Sequence, residues 1–409
     1  MSSSRSSSPK IQTSSTCPAC GHHVAVPFID PETQPLATVA WPKSTDEAKS
    51  MTPLPLTFVR CVSCGHVYNA DFTYENVPYS EKPNLMFNRG SGWGKHIERV
   101  CNLIVDYLPP NPTIVEIGCG EGHLLRALAS KIDNARLIGF DPNASMITDG
   151  LFEGRAELFV PDVHVETYEP DLIISRHVLE HLVNPLGFLQ SIEFAAAMHG
   201  IQTRVFIEVP CIDRVFESGR IVDFYYEHNS HFTTESFTRM LHRTSESIEL
   251  LVHSYNREVI TGLVRVGVNP QAAVFAKDAN LFRENAAMAK ITIRQQLADL
   301  HASGKTVAFW GGTGKGAAFI NYYGVDADRF PVVVDSDTDK LGTFVPGTGQ
   351  AIEFRDHLID HPAQVLVIPM QWRVRDVLSE IESAGISYET ILIEHQGKLI
   401  DFHNDPHPY

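Results

Sequence analysis

The chain has no stretch approaching the roughly 18 consecutive apolar residues that a membrane-spanning helix needs, so no such helix is expected. Positive charge is also short: Lys and Arg number 33 against 49 Asp and Glu, a formal net charge of -16. Phosphate backbones and anionic headgroups are held by clustered cations. The balance therefore argues against non-specific binding to nucleic acid or a membrane, while leaving room for a local basic site that holds an anionic small molecule. The first ten residues, MSSSRSSSPK, lack the apolar segment of a secretory signal and read as a disordered tail over residues 1–15. A cytoplasmic protein with no membrane or nucleic-acid partner is expected. Cysteine is scarce, seven in 409 residues, and its spacing matters more than its count. What remains is ordinary: 43% hydrophobic and 20% charged residues, in a length that suits two or three domains.

Four of the cysteines form two Cys-x-x-Cys-Gly knuckles, Cys17-Pro-Ala-Cys20-Gly21 and Cys61-Val-Ser-Cys64-Gly65. Two thiolate pairs in this pattern predict a tetrahedral zinc site within a small domain over residues 16–80. The gap of about 40 residues between the knuckles is longer than the usual ~15–20. It holds a Pro- and Ser/Thr-rich insertion that reads as an exposed loop. A redox pair or a disulfide would not explain two knuckles. Four thiolates close the coordination sphere, so the zinc is expected to be structural, with His22, His23 and His66 as spare neighbours. Cys101, Cys119 and Cys211 stand alone where a small buried residue would serve.

The stretch Val115-Glu-Ile-Gly-Cys-Gly-Glu-Gly-His-Leu-Leu125 reads as a strand, a glycine turn and the start of a helix. About 20 residues on, Arg136–Asp141 is a second strand ending in an acid suited to a ribose diol. Glycine turns of this kind also serve nicotinamide dinucleotides. The pattern Glu116-x-Gly118-x-Gly120-x-Gly122, however, resembles motif I of class I S-adenosylmethionine (SAM) methyltransferases. A carboxylate beside the turn suits the ammonium of SAM and would not help a pyrophosphate. Glu116, Gly118, Gly120, Gly122 and Asp141 are the candidate cofactor residues, with Asp162 for the adenine amino group. Alternating strands and helices over residues 81–255 predict a doubly wound parallel sheet with its site at the strand C-termini. Residues 72–89 are aromatic and irregular, and precede a helix through Ile97, Val100, Ile104 and Leu108.

Titratable groups then crowd into Tyr225-Tyr-Glu-His-Asn-Ser-His231, with His177 and His181 just after a core strand. A histidine beside a carboxylate can serve as a general base near neutral pH. Knuckle domain, SAM domain with His-Val-Leu-x-His and Tyr-x-Glu-His, and a second nucleotide-binding-like domain together resemble the sugar C-methyltransferases that act on nucleotide-linked 4-keto deoxysugars. The resemblance implies His228 as base, with Tyr225, Glu227 and His181 around the substrate and His177 and His231 nearby. Two departures stand out. Family members often carry Tyr where this chain has His231, and the region that usually offers an active-site Tyr reads Asn84-Leu-Met-Phe-Asn-Arg89, so that contact is either missing or made by Tyr79.

Beyond an edge strand at 263–266 and a connecting helix from Asp278 to Ser303, the strand Thr306–Trp310 enters Gly311-Gly-Thr-Gly-Lys-Gly316. A P-loop would need Gly-x4-Gly-Lys-Ser/Thr, and Phe309 and Gly316 break it, so nucleotide hydrolysis is rejected. The loop instead resembles the family's Gly-x-Gly-x-Lys-Gly, with Gly314 and Lys315 as a seat for a diphosphate. The expected architecture is α/β: a class I methyltransferase sheet flanked by a zinc-binding domain and, over residues 304–409, a C-terminal Rossmann-like domain. The expected chemistry is SAM-dependent C-methylation through an enolate, in a monomer or weak homodimer acting on a small molecule. O- or N-methylation of another metabolite, a non-catalytic module and a nicotinamide oxidoreductase are the rival readings.

Overall fold

The computed structural model describes residues 15–39, 41–79, 90–143, 150–267 and 270–409. The expected tail, save residue 15, and the Asn84–Arg89 segment lie outside the described residues. The chain forms two compact units, 1–273 and 274–409, taken here one at a time.

The knuckles open a ribbon of three antiparallel strands, β1 (Ala25–Ile29), β2 (Phe58–Cys61) and β3 (Val67–Asn69). Each knuckle closes the same way, with Gly21 N–H on Cys17 O at 2.8 Å and Gly65 N–H on Cys61 O at 3.0 Å. Both glycines have positive φ, +73° and +76°, which explains why the residue after each second cysteine carries no side chain. A fourth strand, Ser230–His231, joins the ribbon by pairing Ser230 with Tyr68 and His231 with Val67. The zinc-type domain is therefore not the contiguous block 16–80, because its sheet is completed by the chain that follows the Tyr-x-Glu-His element.

The principal sheet has seven strands: β4 (Thr113–Ile117), β5 (Arg136–Phe140), β6 (Glu153–Arg155), β7 (Leu172–Arg176), β8 (Arg204–Pro210), β9 (Ser245–Ser254) and β10 (Val259–Val266). Their spatial order is β9-β10-β8-β7-β4-β5-β6, parallel except for β10 and β9. Strand alternation decides which layer each side chain joins. Val115, Ile138 and Ile173 pack on one face with helices α3 (Pro161–Tyr168), α4 (Pro185–His199) and α5 (Thr234–Leu241), while Ile114, Leu137 and Ile174 pack on the other with α1 (Ser91–Val105) and α2 (His123–Ala129). Burial on both faces is why these strands read as continuous apolar runs. Each buried aliphatic contributes about 1.5–3 kcal/mol. The expected edge strand at 263–266 belongs to β10, which lies inside the sheet between β8 and β9. The methyltransferase-type sheet thus runs to Val266 and not to residue 255.

The long helix α6 (Pro270–Ala302) leads into the second unit, where Ile293 and Leu297 join its core. This unit is a six-stranded sheet of β11 (Val307–Trp310), β12 (Val332–Asp335), β13 (Ile352–Phe354), β14 (Val365–Val367), β15 (Thr390–His395) and β16 (Lys398–Asp401) in the order β13-β12-β11-β14-β15-β16. All pairs are parallel but the last, as a Rossmann-like sheet requires. No helix among the described residues is long and apolar enough to cross a membrane.

Candidate active site

The crevice at the C-termini of β4 and β5 holds an open pocket. Its floor is the glycine turn. Gly118 has φ +70°, and a Cβ there would meet Val178 Cγ2 at 2.5 Å; a Cβ on Gly122, at φ +74°, would meet the Phe152 ring at 2.2 Å. The turn admits only glycine at both positions. Asp141, at the end of β5, accepts from Gly120 N–H at 2.9 Å and from Asn143 N–H at 2.8 Å, which fixes its carboxylate at the pocket wall. A carboxylate so placed, with a backbone floor beside it, fits the ribose of a nucleoside cofactor.

Two expected cofactor residues are placed differently. Asp162 is exposed in the first turn of α3, and it is Glu157, Leu158 and Phe159, just before that helix, that line the pocket. Glu116 points into the layer opposite its neighbour Ile117 and is buried behind the turn, with Oε2 unpartnered. Burial pushes its carboxyl up to about 8, against the pull of Arg176. An orphaned carboxyl oxygen beneath the turn still fits a cofactor bearing an ammonium.

On the opposite wall Tyr79 and His181 line the pocket and share one anchor, the Glu227 backbone carbonyl. Tyr79 Oη donates to that oxygen at 2.9 Å, and His181 Nδ1 lies 2.7 Å from it. A carbonyl only accepts, so Nδ1 is the protonated ring nitrogen of His181. His228 sits behind, its ring centre 4.9 Å from that of His181 and its Nε2 2.8 Å from Tyr225 Oη. Burial, and then the neighbouring imidazoles of His181, His231 and His177, hold His228 well below the ordinary histidine value, so it is neutral at neutral pH. Burial first and the charge of nearby carboxylates second push the phenols of Tyr79 and Tyr225 up, keeping both as donors.

The structure places Tyr225, His228, His181 and Tyr79 together and gives two other expected residues different partners. Glu227 Oε1 accepts the backbone amides of Thr38, at 2.6 Å, and Val39, at 3.2 Å, and its Oε2 is buried without a partner. It ties down the insertion between the knuckles. His231 is in the ribbon sheet, edge-on to Phe58 and tilted against Phe224, with Nε2 on Asp223 O at 3.0 Å. It is a packed core histidine outside the pocket lining.

His177 does line the pocket, at a left-handed φ of +52° unusual for this residue type. Its Nδ1 lies 3.4 Å from Glu180 and its Nε2 3.2 Å from Glu208, within ion-pair reach although poorly aligned for hydrogen bonds. Burial opposes its charge, but the two carboxylates outweigh it and raise His177 to about 9. Glu208 in turn takes Arg176 at 2.7 Å and His96 at 3.0 Å. Sequence reading missed Glu180, Glu208 and His96, although a lone acid inside the apolar run Val205-Phe-Ile-Glu-Val209 was a usable signal. A testable consequence follows from the sign of the shift. A group raised from about 6.5 unfolded to about 9 folded contributes stability that is complete below pH 6.5 and is lost as pH rises through 9. Unfolding free energy should fall by about 3 kcal/mol across that window, and His177→Gln should remove the slope in denaturant titrations.

The four knuckle cysteines bring their sulfurs within 4.8 Å of one another, with Cys17 and Cys64 3.7 Å apart and Cys20 and Cys61 3.6 Å apart. A zinc tetrahedron with Zn–S of about 2.3 Å has an edge of about 3.8 Å. All seven cysteines are free, and backbone amides of Ala19, His22 and His66 point at the knuckle sulfurs. The buried, all-thiolate donor set fits a closed tetrahedral Zn²⁺. In the second unit Lys315 is the first residue of helix α7 (Lys315–Tyr323), directly after Gly314, with its Nζ 4.1 Å over the exposed Trp372 ring.

A methyltransferase domain model matches residues 93–244, and a C-methyltransferase C-terminal domain model matches residues 272–393. The C-methyltransferase NovU of Streptomyces niveus is 23% identical over 369 residues, covering 81% of this chain and 84% of that protein. Among solved structures, a SAM dependent methyltransferase from Aquifex aeolicus is 12% identical with a TM-score of 0.32, covering 42% of this chain and 98% of its own. The PH0226 protein from Pyrococcus horikoshii OT3 is 11% identical with a TM-score of 0.33, covering 46% and 98%. With both domain models in the order of a C-methyltransferase and the curated relative spanning both, the chain is a SAM-dependent methyltransferase similar to C-methyltransferases over both domains.

Proposed function

We propose that the methyl acceptor is a carbon beside a ketone in a nucleotide-linked deoxysugar, activated as an enolate. The observation that carries this reading is the joining of His228, Tyr225, His181 and Tyr79 by short contacts at the wall of the pocket that Asp141 and Gly118 also line. A neutral imidazole held in place by a phenol is a base ready to accept a proton. The ketone makes the adjacent C–H acidic. His228 takes that proton, and Tyr225 donates to the developing enolate oxygen. Bound SAM supplies the methyl group, and the carbon–sulfur bonding pair leaves with the sulfur. Asp141, Gly118, Gly120, Gly122 and Glu116 are the residues proposed to hold it. Gly314 and Lys315, one backbone turn and one cation at a helix start, are proposed to hold the diphosphate of the acceptor. The four thiolates are proposed to bind structural zinc.

The proton step separates carbon from oxygen methylation. In D2O, with S-adenosylhomocysteine filling the cofactor site, the enzyme should exchange the acceptor's α-proton at a rate comparable with turnover. An O-methyltransferase would leave that carbon unlabelled.

A further inference from the structure

We infer that Glu180 is a positioning residue that stabilises the proton-bearing form of His228, held ready for that task by a buried network of His177, Glu208 and Arg176. The inference rests on His228 being the base. When His228 takes the α-proton, the C–H bonding pair stays on the enolate and the proton moves to the imidazole. The resulting cation sits in a poor place. It is half-buried, its ring centre is 4.9 Å from that of His181 and 6.2 Å from that of His231, and His177 beyond them is a cation already. Tyr225 Oη steadies the ring at 2.8 Å but carries no charge. A negative partner is required.

Glu180 meets the requirement by geometry. It lies in the single turn Leu179–His181 between β7 and α4, 1% exposed, and neither carboxylate oxygen has an aligned hydrogen-bond donor. An oxygen of Glu180, a ring nitrogen of His181 and a ring nitrogen of His228 all lie within 4.8 Å of one another. A buried carboxylate without donors is costly, and such a cost persists where the surroundings enforce it.

The enforcement is visible. His177 stands between Glu180 and Glu208, so both its nitrogens face acceptors that cannot donate, and it must carry two hydrogens. Glu208 is already committed to Arg176, through Nε at 2.9 Å and Nη2 at 2.7 Å, to His96 at 3.0 Å and to Thr261 Oγ1 at 3.2 Å. Two cations, Arg176 and His177, thus balance two anions, Glu208 and Glu180. Glu180 is the member of the set whose oxygens remain available. Glu227, next to His228 in sequence, gives Oε1 to the Thr38 and Val39 amides and keeps Oε2 unpartnered, but it is Glu180 whose oxygen groups with the His181 and His228 ring nitrogens. The positive φ of His177 is the backbone cost of placing its ring between the two acids.

The test compares wild type, Glu180→Gln, which keeps the shape, and Glu180→Asp, which keeps the charge. Two readouts are used: α-proton exchange of a nucleotide-linked 4-keto sugar in D2O with S-adenosylhomocysteine bound, and the His228 ionisation by NMR of ring-labelled histidine. Glu180→Gln should slow exchange and kcat about 100-fold with KM changed less than about threefold, and should move His228 ionisation to lower pH. Glu180→Asp should recover part of both. Exchange by Glu180→Gln at the wild-type rate overturns the inference. If wild type itself does not exchange, the base reading fails, and the NMR decides the rest: an unmoved His228 ionisation overturns the role of Glu180, and a downward move upholds it.

Discussion

His228→Ala should lose methyl transfer by a factor of about 10²–10⁴ in kcat/KM while binding S-adenosylhomocysteine as the wild type does. The two halves of that result come from different parts of the molecule. The cofactor pocket is built by the turn after β4 and by Asp141 at the end of β5, and its lining includes Tyr79, His177 and His181 but not His228. His228 is reached through His181, whose Nδ1 is tied to the Glu227 carbonyl, and through the 2.8 Å contact to Tyr225. Removing the ring therefore deletes the proton acceptor without touching the glycine turn. Because burial and the surrounding imidazoles hold His228 below the ordinary histidine range, its protonation should not limit the rate near neutrality. The acid limb of the wild-type profile should begin only below about pH 6. Calorimetry of cofactor binding beside steady-state kinetics checks both halves. Loss of binding together with activity would mean that the histidine supports the pocket and not the chemistry.

The second large effect is expected from the thiolates. Cys61→Ser, or removal of zinc by a chelator, should destabilise the first unit by more than about 4 kcal/mol and abolish turnover with it. In a ribbon of three short strands, an ion bound by the four thiolates would close the two knuckles against each other. The consequence reaches the active site through pairing. Ser230–His231, directly after His228 and Asn229, is the fourth strand of the ribbon, and the Glu227 carboxylate grips Thr38 and Val39 in the insertion between the knuckles. Loss of the ion releases both ends of the segment that carries the base. Thermal unfolding and turnover measured together, with zinc added back, test this. A chelated protein that keeps its melting temperature and its rate would show that the knuckles need no metal.

Local signals were legible in the sequence, and long-range ones were not. The glycine turn, the acid ending β5 and the two knuckles each declare themselves within a dozen residues, because backbone conformation and ligand spacing demand particular residue types there. The parallel strands β4, β5, β7 and β8 were legible as apolar runs of strand length, but the place of β10 between β8 and β9 was not, since sequence order does not state which neighbour a strand pairs with. Glu227 and His231 drew attention through the density of titratable groups around His228, but their partners, the Thr38 and Val39 amides and the Asp223 carbonyl, are not legible from that density. Asp162 was the candidate for the adenine amino group, whereas it is exposed in the first turn of α3. Glu180 lay within the quoted His-Val-Leu-x-His and was passed over because its partners, His177 excepted, come from elsewhere in the fold.

The most direct measurement of the central claim uses SAM carrying 13C in its methyl group, offered with a nucleotide-linked 4-keto sugar, and NMR to locate the label. A methyl carbon bonded to a ring carbon next to the ketone, absent with His228→Ala, is the predicted result. A methyl carbon bonded to oxygen or nitrogen would contradict the enolate account.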